Sequence, residues 1–174
     1  MFSATLKRMY TIISGTNRSG SNTIKIAGQY QQMLAEIGIE SRVVSLENLD
    51  VSHRNNAIRH IENETLIPTS KFIFISPEYN GSIPGVLKSL IDNSDIEKVW
   101  WGKKALLVGV STGRAGNIRG MDHLTGILNY VKVVVHPNKL PISIVHKLVD
   151  GAGLVIEKGT LAAIRLQLEE FISF

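Results

Sequence analysis

The chain has 174 residues, of which 44% are hydrophobic and 20% are charged, as expected of one globular domain. The net charge of +4 comes from 19 basic and 15 acidic side chains without a lysine- or arginine-rich block, so we expect no nucleic-acid partner. The absence of cysteine excludes disulfides, thiolate catalysis, and zinc–thiolate or iron–sulfur sites.

The N-terminal stretch MFSATLKRMY has no apolar run long enough for a signal peptide. The longest apolar runs, such as ALLVGV, are far too short to cross a membrane. We therefore expect a soluble, cytoplasmic protein with no membrane partner. No repeat, linker or low-complexity tract divides the chain, so residues 1–174 are expected to form a single domain.

Apolar runs alternate with helical patterns along the whole chain. The predicted strands are residues 9–14, 39–46, 71–76, 104–111 and 131–136. The predicted helices are residues 22–38, 55–66, 83–91, 121–131 and 161–171. Strands that are near-continuous apolar runs are typical of a parallel sheet covered by helices on both faces.

This alternation, with right-handed crossovers, predicts an α/β fold of the flavodoxin-like three-layer sandwich type. Its five-stranded parallel sheet has the order 2-1-3-4-5. Ligands bind such sheets at the carboxyl ends of the strands, where the strand order reverses. The loops after strands 1, 3 and 4 are therefore the candidate site.

The first loop, GTNRSGSNT at 15–23, joins a strand to the start of a helix. Free N–H groups and the helix dipole favour an anion there, and Arg18 adds a cationic fork. The short polar donors of this loop are Thr16, Ser19, Ser21, Asn22 and Thr23. Ser21 stands where a P-loop has lysine, and G-x-G-x-x-G is absent, so the loop suits a terminal phosphate monoester. The alternative is a plain strand-to-helix turn with a polar cap.

The second loop lies within SPEYNGSIPGVLKSLID, residues 76–92. Tyr79 offers a ring, and the backbone N–H groups of residues 80–82 can point in one direction. This arrangement suits a flat heteroaromatic ligand, which needs a surface for its face and amides for its edge. The alternative is an ordinary turn in which Tyr79 only packs.

The third loop contains GVSTG, a literal G-x-S-x-G after a strand. In serine hydrolases this motif carries the nucleophile, and the order Ser111, Asp122, His146 fits a catalytic triad. The segment RAGNIRG, however, separates the motif from the next helix, and no oxyanion segment of the HGGG type is seen. A serine hydrolase is therefore a weaker alternative.

The histidines and tryptophans of the chain are expected to have structural roles. The histidines show no metal-ligand spacing, so no metal site is expected; they are His53, His60, His123, His136 and His146. Trp100 and Trp101 precede the fourth strand and are expected to anchor the core or a subunit interface.

Three motifs together, GTNRSGSN, PEYNGSIPGVLKSLID and VSTGRAGN, resemble the NADPH-dependent FMN reductase family. This family is flavodoxin-like and includes quinone, azo-dye and chromate reductases. The resemblance covers roughly residues 9–145 and implies non-covalent FMN, NADPH or NADH as co-substrate, and a homodimer or homotetramer.

The resemblance also implies which residues contact the cofactor. The first loop would bind the FMN phosphate through Thr16, Arg18, Ser21, Asn22 and Thr23. The second loop would support the isoalloxazine through Pro77, Glu78, Tyr79, Asn80, Gly81 and Ser82. The loop after strand 4 would border the flavin through Ser111, Thr112, Gly113, Arg114 and Gly116. Arg114 or Arg119 is a further candidate for pairing with the 2′-phosphate of NADPH.

The activity implied is transfer of a hydride from NAD(P)H through N5 of bound FMN to an acceptor, by a ping-pong mechanism. The acceptor would be a quinone, an azo compound, a free flavin or a metal oxyanion. The cofactor carries this chemistry, so no catalytic side chain is expected. The alternative within this fold is an FMN-binding electron carrier that does not oxidise NAD(P)H.

Overall fold

The computed structural model of the protein describes residues 9–174. Most of the N-terminal stretch on which the signal-peptide expectation depends lies outside these residues. The strands are β1 (Met9–Ser14), β2 (Ser41–Ser45), β3 (Thr69–Pro77), β4 (Lys104–Val110), β5 (Val134–Val135) and β6 (Leu140–Ile142). The helices are α1 (Asn22–Glu36), α2 (Asn56–Ile61), α3 (Gly85–Asn93), α4 (Ile118–Tyr130) and α5 (Lys158–Ser173). None of the helices in the described range is long and apolar enough to span a membrane.

The sheet is parallel and has the order β2-β1-β3-β4-β5, which confirms the predicted fold class and strand order. A sixth strand that the sequence did not predict, β6, also pairs with β4. Lys104 and Ala105 of β4 pair with β5, whereas residues 108–110 of β4 pair with β6. Two short strands thus complete one edge of the sheet in succession.

The fifth strand is shorter than predicted, since only Val134 and Val135 of residues 131–136 form it. The apolar run is shared with the preceding helix, because Val131 caps the end of α4. Lys132 then takes a left-handed backbone, with φ of 59°. A strand cannot continue through that conformation.

The predicted helix at 55–66 begins with α2 and continues as a π-helical turn over residues 62–66. A second π-helical turn, over residues 96–100, was not predicted. It ends at Trp100, which is buried in the core as expected. Its neighbour Trp101 is 40% exposed, with Lys132 Nζ 3.4 Å from the centre of an indole ring.

Side chains of β3 alternate between the two faces of the sheet, as a strand requires. Phe72 and Phe74 pack with Trp100 in one cluster, which is completed by α3 and α4. Ile73 and Ile75 belong to the opposite cluster, which includes α1 and α5. Both faces of the central strands are therefore buried, which explains why their sequences contain near-continuous apolar runs.

A buried polar pair joins α1 to α5. Tyr30 Oη donates to Gln167 Oε1 at 2.6 Å, and Gln167 Nε2 donates to the backbone oxygens of Leu107 and Asn138. Gln167 is wholly buried. The glutamine thus ties both helices and the sheet together, and burial raises the pKa of the Tyr30 phenol well above its ordinary value.

This pair predicts a loss of stability at alkaline pH. The unfolded chain releases the Tyr30 proton near pH 10, where the folded chain still holds it, so the free energy of unfolding falls as pH rises above about 10. We expect Tyr30→Phe to cost about 1 kcal/mol at neutral pH and to flatten that alkaline decline. Urea denaturation of both proteins across this pH range measures the two slopes. Equal slopes would contradict the prediction.

Candidate functional site

Three loops meet at the carboxyl ends of β1, β3 and β4, where the strand order reverses. They enclose a cleft of about 290 Å³. Its lining includes ten of the predicted site residues, namely Thr16, Arg18, Ser21, Asn22, Thr23, Pro77, Glu78, Tyr79, Ser111 and Thr112. Ser19, Gly20, Val110 and Val145 complete the lining. The other six predicted residues, Asn80, Gly81, Ser82, Gly113, Arg114 and Gly116, lie outside this lining.

The first loop is held close to β3 by Gly15. Its N–H donates to the Ile75 oxygen at 2.8 Å, and a Cβ atom there would lie 2.9 Å from Leu87 Cδ2. The chain then reaches Ser21, which caps α1 by accepting the Ile24 N–H at 3.2 Å. The following N–H groups, which open α1, point out of the helix and are available to an anion.

The first and second loops touch through a hydroxyl pair. The hydroxyl oxygens of Thr16 and Tyr79 lie 2.6 Å apart, and the backbone N–H of Arg18 donates to Thr16 Oγ1 at 3.3 Å. The Arg18 guanidinium lies over the Tyr79 ring, 4.1 Å from its centre. Arg18 is exposed and forms no ion pair within residues 9–174. Its charge is thus held at the mouth of the cleft and is free to meet an anion.

The second loop is a tight turn closed by two bonds between Tyr79 and Ser82. Each residue's N–H donates to the other's oxygen, at 2.9 and 3.0 Å. Asn80 and Gly81 both have positive φ, 52° and 76°, which is typical of a type I′ turn. The N–H groups of residues 80–82, which were expected to point in one direction, are thus not all free for a ligand. Ser82 uses its N–H to close the turn, which leaves those of Asn80 and Gly81.

The third loop is fixed by Ser111. Its Oγ donates to the Gly113 oxygen at 2.9 Å and accepts the Gly116 N–H at 3.0 Å. The hydroxyl therefore organises the backbone of residues 111–116. Ser111 and Thr112 face the cleft, whereas Arg114 is exposed beyond it.

The hydrolase interpretation finds no support in these contacts. Asp122 forms an ion pair with Lys139 at 3.0 Å, and His146 is exposed in a 3₁₀ turn. Across residues 9–174 no hydrogen bond or ion pair joins Ser111, Asp122 and His146. The order of the three residues along the chain is not matched by a triad in space.

Two contributors to the cleft could not be found from the sequence pattern. Val145 follows β6, a strand of three residues that contains a proline. Gly20 has a φ of 59° and shapes the turn before α1, but it lacks a side chain that would signal binding. Among the described residues, no cluster of three or more histidines and carboxylates is arranged to hold a metal ion.

The sequence comparisons show what the chain as a whole is similar to. A family model described as NADPH-dependent FMN reductase matches residues 10–147. A 2-hydroxy-1,4-benzoquinone reductase from a Burkholderia species is 28% identical over 107 residues, covering 59% of this chain and 58% of the relative. An NAD(P)H-dependent FMN reductase from Pseudomonas aeruginosa is 33% identical over 111 residues, covering 61% and 59%. The matched region thus spans less than two thirds of either relative.

Solved structures share the fold over nearly the whole chain. A flavoenzyme NAD(P)H:(acceptor) oxidoreductase from Paracoccus denitrificans superposes with a TM-score of 0.79 at 22% identity, covering 96% of both chains. A flavodoxin from Streptococcus pneumonia superposes with a TM-score of 0.66 at 15% identity, covering 95% of this chain and 98% of its own. At these identities the likeness shows a common flavodoxin-like architecture, which reductases and electron carriers share.

Proposed function

This chain belongs to the NADPH-dependent FMN reductase family, and on that premise we propose that it is an FMN-dependent NAD(P)H oxidoreductase. The observation that carries the proposal is the meeting of three loops at one cleft. That cleft has a helix N-terminus and Arg18 at one end and Tyr79 beside them. Its polar lining suits a phosphate next to an aromatic ring system.

The phosphate end is proposed to consist of Thr16, Arg18, Ser21, Asn22 and Thr23. Hydroxyls, free N–H groups and a guanidinium together supply the donors that a phosphate dianion requires. Within the cleft lining, the one carboxylate is Glu78. Its Oε2 accepts the Asn117 N–H at 3.3 Å, so its charge is met by the start of α4.

The ring end is proposed to consist of Pro77 to Ser82 together with Ser111 and Thr112. Asn80 and Gly81 keep N–H groups that can face the edge of a flavin, since Ser82 closes the turn. Such donors stabilise negative charge that develops on a reduced ring. Gly113, Arg114 and Gly116 are proposed to border the ring from the far side of the third loop.

When bound, FMN supplies a two-electron redox centre that takes a hydride from NAD(P)H at N5 and reduces an acceptor. A quinone, an azo compound, a free flavin or a metal oxyanion is the proposed acceptor class. The open side of the cleft is proposed to receive NAD(P)H and the acceptor in turn, which corresponds to a ping-pong mechanism. The chain's own residues bind and orient, and no side-chain acid or base is assigned.

The experiment that tests this function starts with the purified protein, incubated with FMN, desalted and examined by absorbance spectroscopy. We expect retained flavin bands, followed by rapid bleaching when the loaded protein is mixed anaerobically with NADPH or, separately, with NADH. Retained flavin that neither nucleotide bleaches would favour the electron carrier. A protein that retains no flavin would contradict the proposal.

Arg114 and Arg119 are proposed to contact the 2′-phosphate of NADPH. Both are exposed, and Arg119 Nη1 lies 3.8 Å from the position of a Cβ atom built on Gly81, at the rim of the ring end. Replacing the responsible arginine with alanine should lower kcat/KM for NADPH about tenfold and leave NADH unchanged, because only NADPH carries the phosphate. Steady-state kinetics with both nucleotides measure this change. An unchanged preference in both single variants would rule out the assignment.

A homodimer or homotetramer is also proposed. The lining of a groove between α3 and α4 includes apolar residues beside the charged Lys88 and Asp92; the apolar residues are Ile91, Ile96, Ile127 and Tyr130. Tyr130 is 83% exposed and Ile96 is 41% exposed, so this face supports association. The cytoplasmic location expected from the sequence stays a prediction.

A further inference from the structure

We propose that Asn117, which lies outside the cleft, is a positioning residue for the ring end of the flavin site. It would act by holding Ser76, Pro77 and Glu78 in place through hydrogen bonds. The inference rests on the proposed function, because the segment it holds is the one assigned to the isoalloxazine.

The Asn117 side chain clamps the end of β3. Its Nδ2 donates to the backbone oxygens of Ser76 at 2.9 Å and Pro77 at 3.0 Å, and it lies 3.3 Å from Ser76 Oγ. Asn117 is 0% exposed. Three acceptors therefore surround one amide nitrogen in a buried site, so the orientation of the amide is fixed by its surroundings.

The Asn117 backbone extends the clamp by one residue. Its N–H donates to Glu78 Oε2 at 3.3 Å, and Asn117 immediately precedes α4. The Glu78 carboxylate thus lies at the positive end of a helix dipole. One residue therefore holds three consecutive residues, of which Pro77 and Glu78 line the cleft.

The surrounding backbone is shaped to accommodate this amide. Asn117 takes a left-handed conformation with φ of 63°. A Cβ atom on Gly120 would lie 2.0 Å from Asn117 Oδ1, and one on Gly109 would lie 3.0 Å from Asn117 Cβ. Glycines in α4 and in β4 thus both leave room for one side chain.

The arrangement also leaves a polar atom without a partner. Asn117 Oδ1 is buried and accepts no hydrogen bond from any residue in the range 9–174, which costs free energy. A residue chosen only to fill this space would not need a buried amide. The three oxygens around Nδ2 explain why an amide is present. Through them the Asn117 side chain joins the third loop to the second loop at the point where the second loop enters the cleft.

The test compares FMN binding by the full-length protein with that of Asn117→Gly, which suits the left-handed backbone and removes the side chain. Asn117→Asp is the second variant, because it keeps the shape and removes the N–H donors. We expect the FMN dissociation constant, measured by quenching of flavin fluorescence, to rise about tenfold or more. The riboflavin dissociation constant should rise by the same factor, and the visible absorption bands of the bound flavin should shift. Asn48→Gly is the matched control, because Asn48 is also left-handed but exposed.

The outcomes separate this inference from the function beneath it. Native FMN affinity and native flavin bands in either folded Asn117 variant would overturn it, even if thermal unfolding of the apoprotein shows lower stability. Native protein that binds no FMN would overturn the proposed function and this inference with it. The supporting result is weaker FMN binding with shifted flavin bands in the Asn117 variants, together with unchanged binding and unchanged bands in Asn48→Gly.

Discussion

Replacing Gly109 with alanine is expected to lower the free energy of unfolding by about 3 kcal/mol, the upper part of the range for overpacking a core. Gly109 lies in β4, and a Cβ atom there would lie 2.0 Å from the Gly116 oxygen and 3.0 Å from Met121 Cε. The Gly116 backbone cannot withdraw easily, because a Cβ atom on Gly116 would itself lie 2.6 Å from Pro141 Cβ. The third loop is thus packed tightly between β4 and β6.

Thermal unfolding measures this effect. For a chain of this length, a loss of about 3 kcal/mol corresponds to a fall in Tm of about 6–12 °C. Gly28→Ala is the matched control, since Gly28 lies within α1 and, apart from the adjoining turns of that helix, no heavy atom of the described residues lies within 4 Å of its Cβ position. We expect that control to be neutral or stabilising by up to about 1 kcal/mol. A native Tm in Gly109→Ala would mean that the third loop moves freely away from the sheet.

The regular part of the fold could be predicted because hydrophobic burial dictates it. β1, β3 and β4 are central strands covered on both faces, so each contains a near-continuous apolar run. The edge could not be predicted, because short strands leave little pattern. β6 has three residues with Pro141 at its centre, and proline is tolerated in a strand only where its missing N–H is not needed.

The site was predicted to the extent that it depends on loop position and side-chain type. Loops that follow neighbouring parallel strands must meet at one edge, which brings Arg18, Tyr79 and Ser111 together. Hydrogen bonds between loops could not be predicted, because they join residues far apart in the chain. Asn117 illustrates this, since its contacts with residues 76–78 depend on the path of the third loop.

The ring and phosphate ends of the proposed flavin site depend on different contacts, so they can be tested separately. Arg18 is assigned to the proposed phosphate end, and its guanidinium lies 4.1 Å from the centre of the Tyr79 ring without a carboxylate partner in the described chain. A guanidinium that no carboxylate neutralises is available to a dianion at the start of α1. Loss of that charge should therefore affect FMN and spare a flavin that lacks the phosphate.

Arg18→Ala is expected to raise the FMN dissociation constant by about 10- to 100-fold, since a charge-assisted hydrogen bond contributes roughly 1.5–3 kcal/mol. The riboflavin dissociation constant should change by less than about twofold, because riboflavin offers no phosphate to Arg18. Fluorescence titrations with both flavins measure the two effects on one preparation. Arg165→Ala removes an equal charge from the exposed face of α5 and serves as the control. Equal losses for FMN and riboflavin would place Arg18 at the ring instead, where its contact with Tyr79 would explain them.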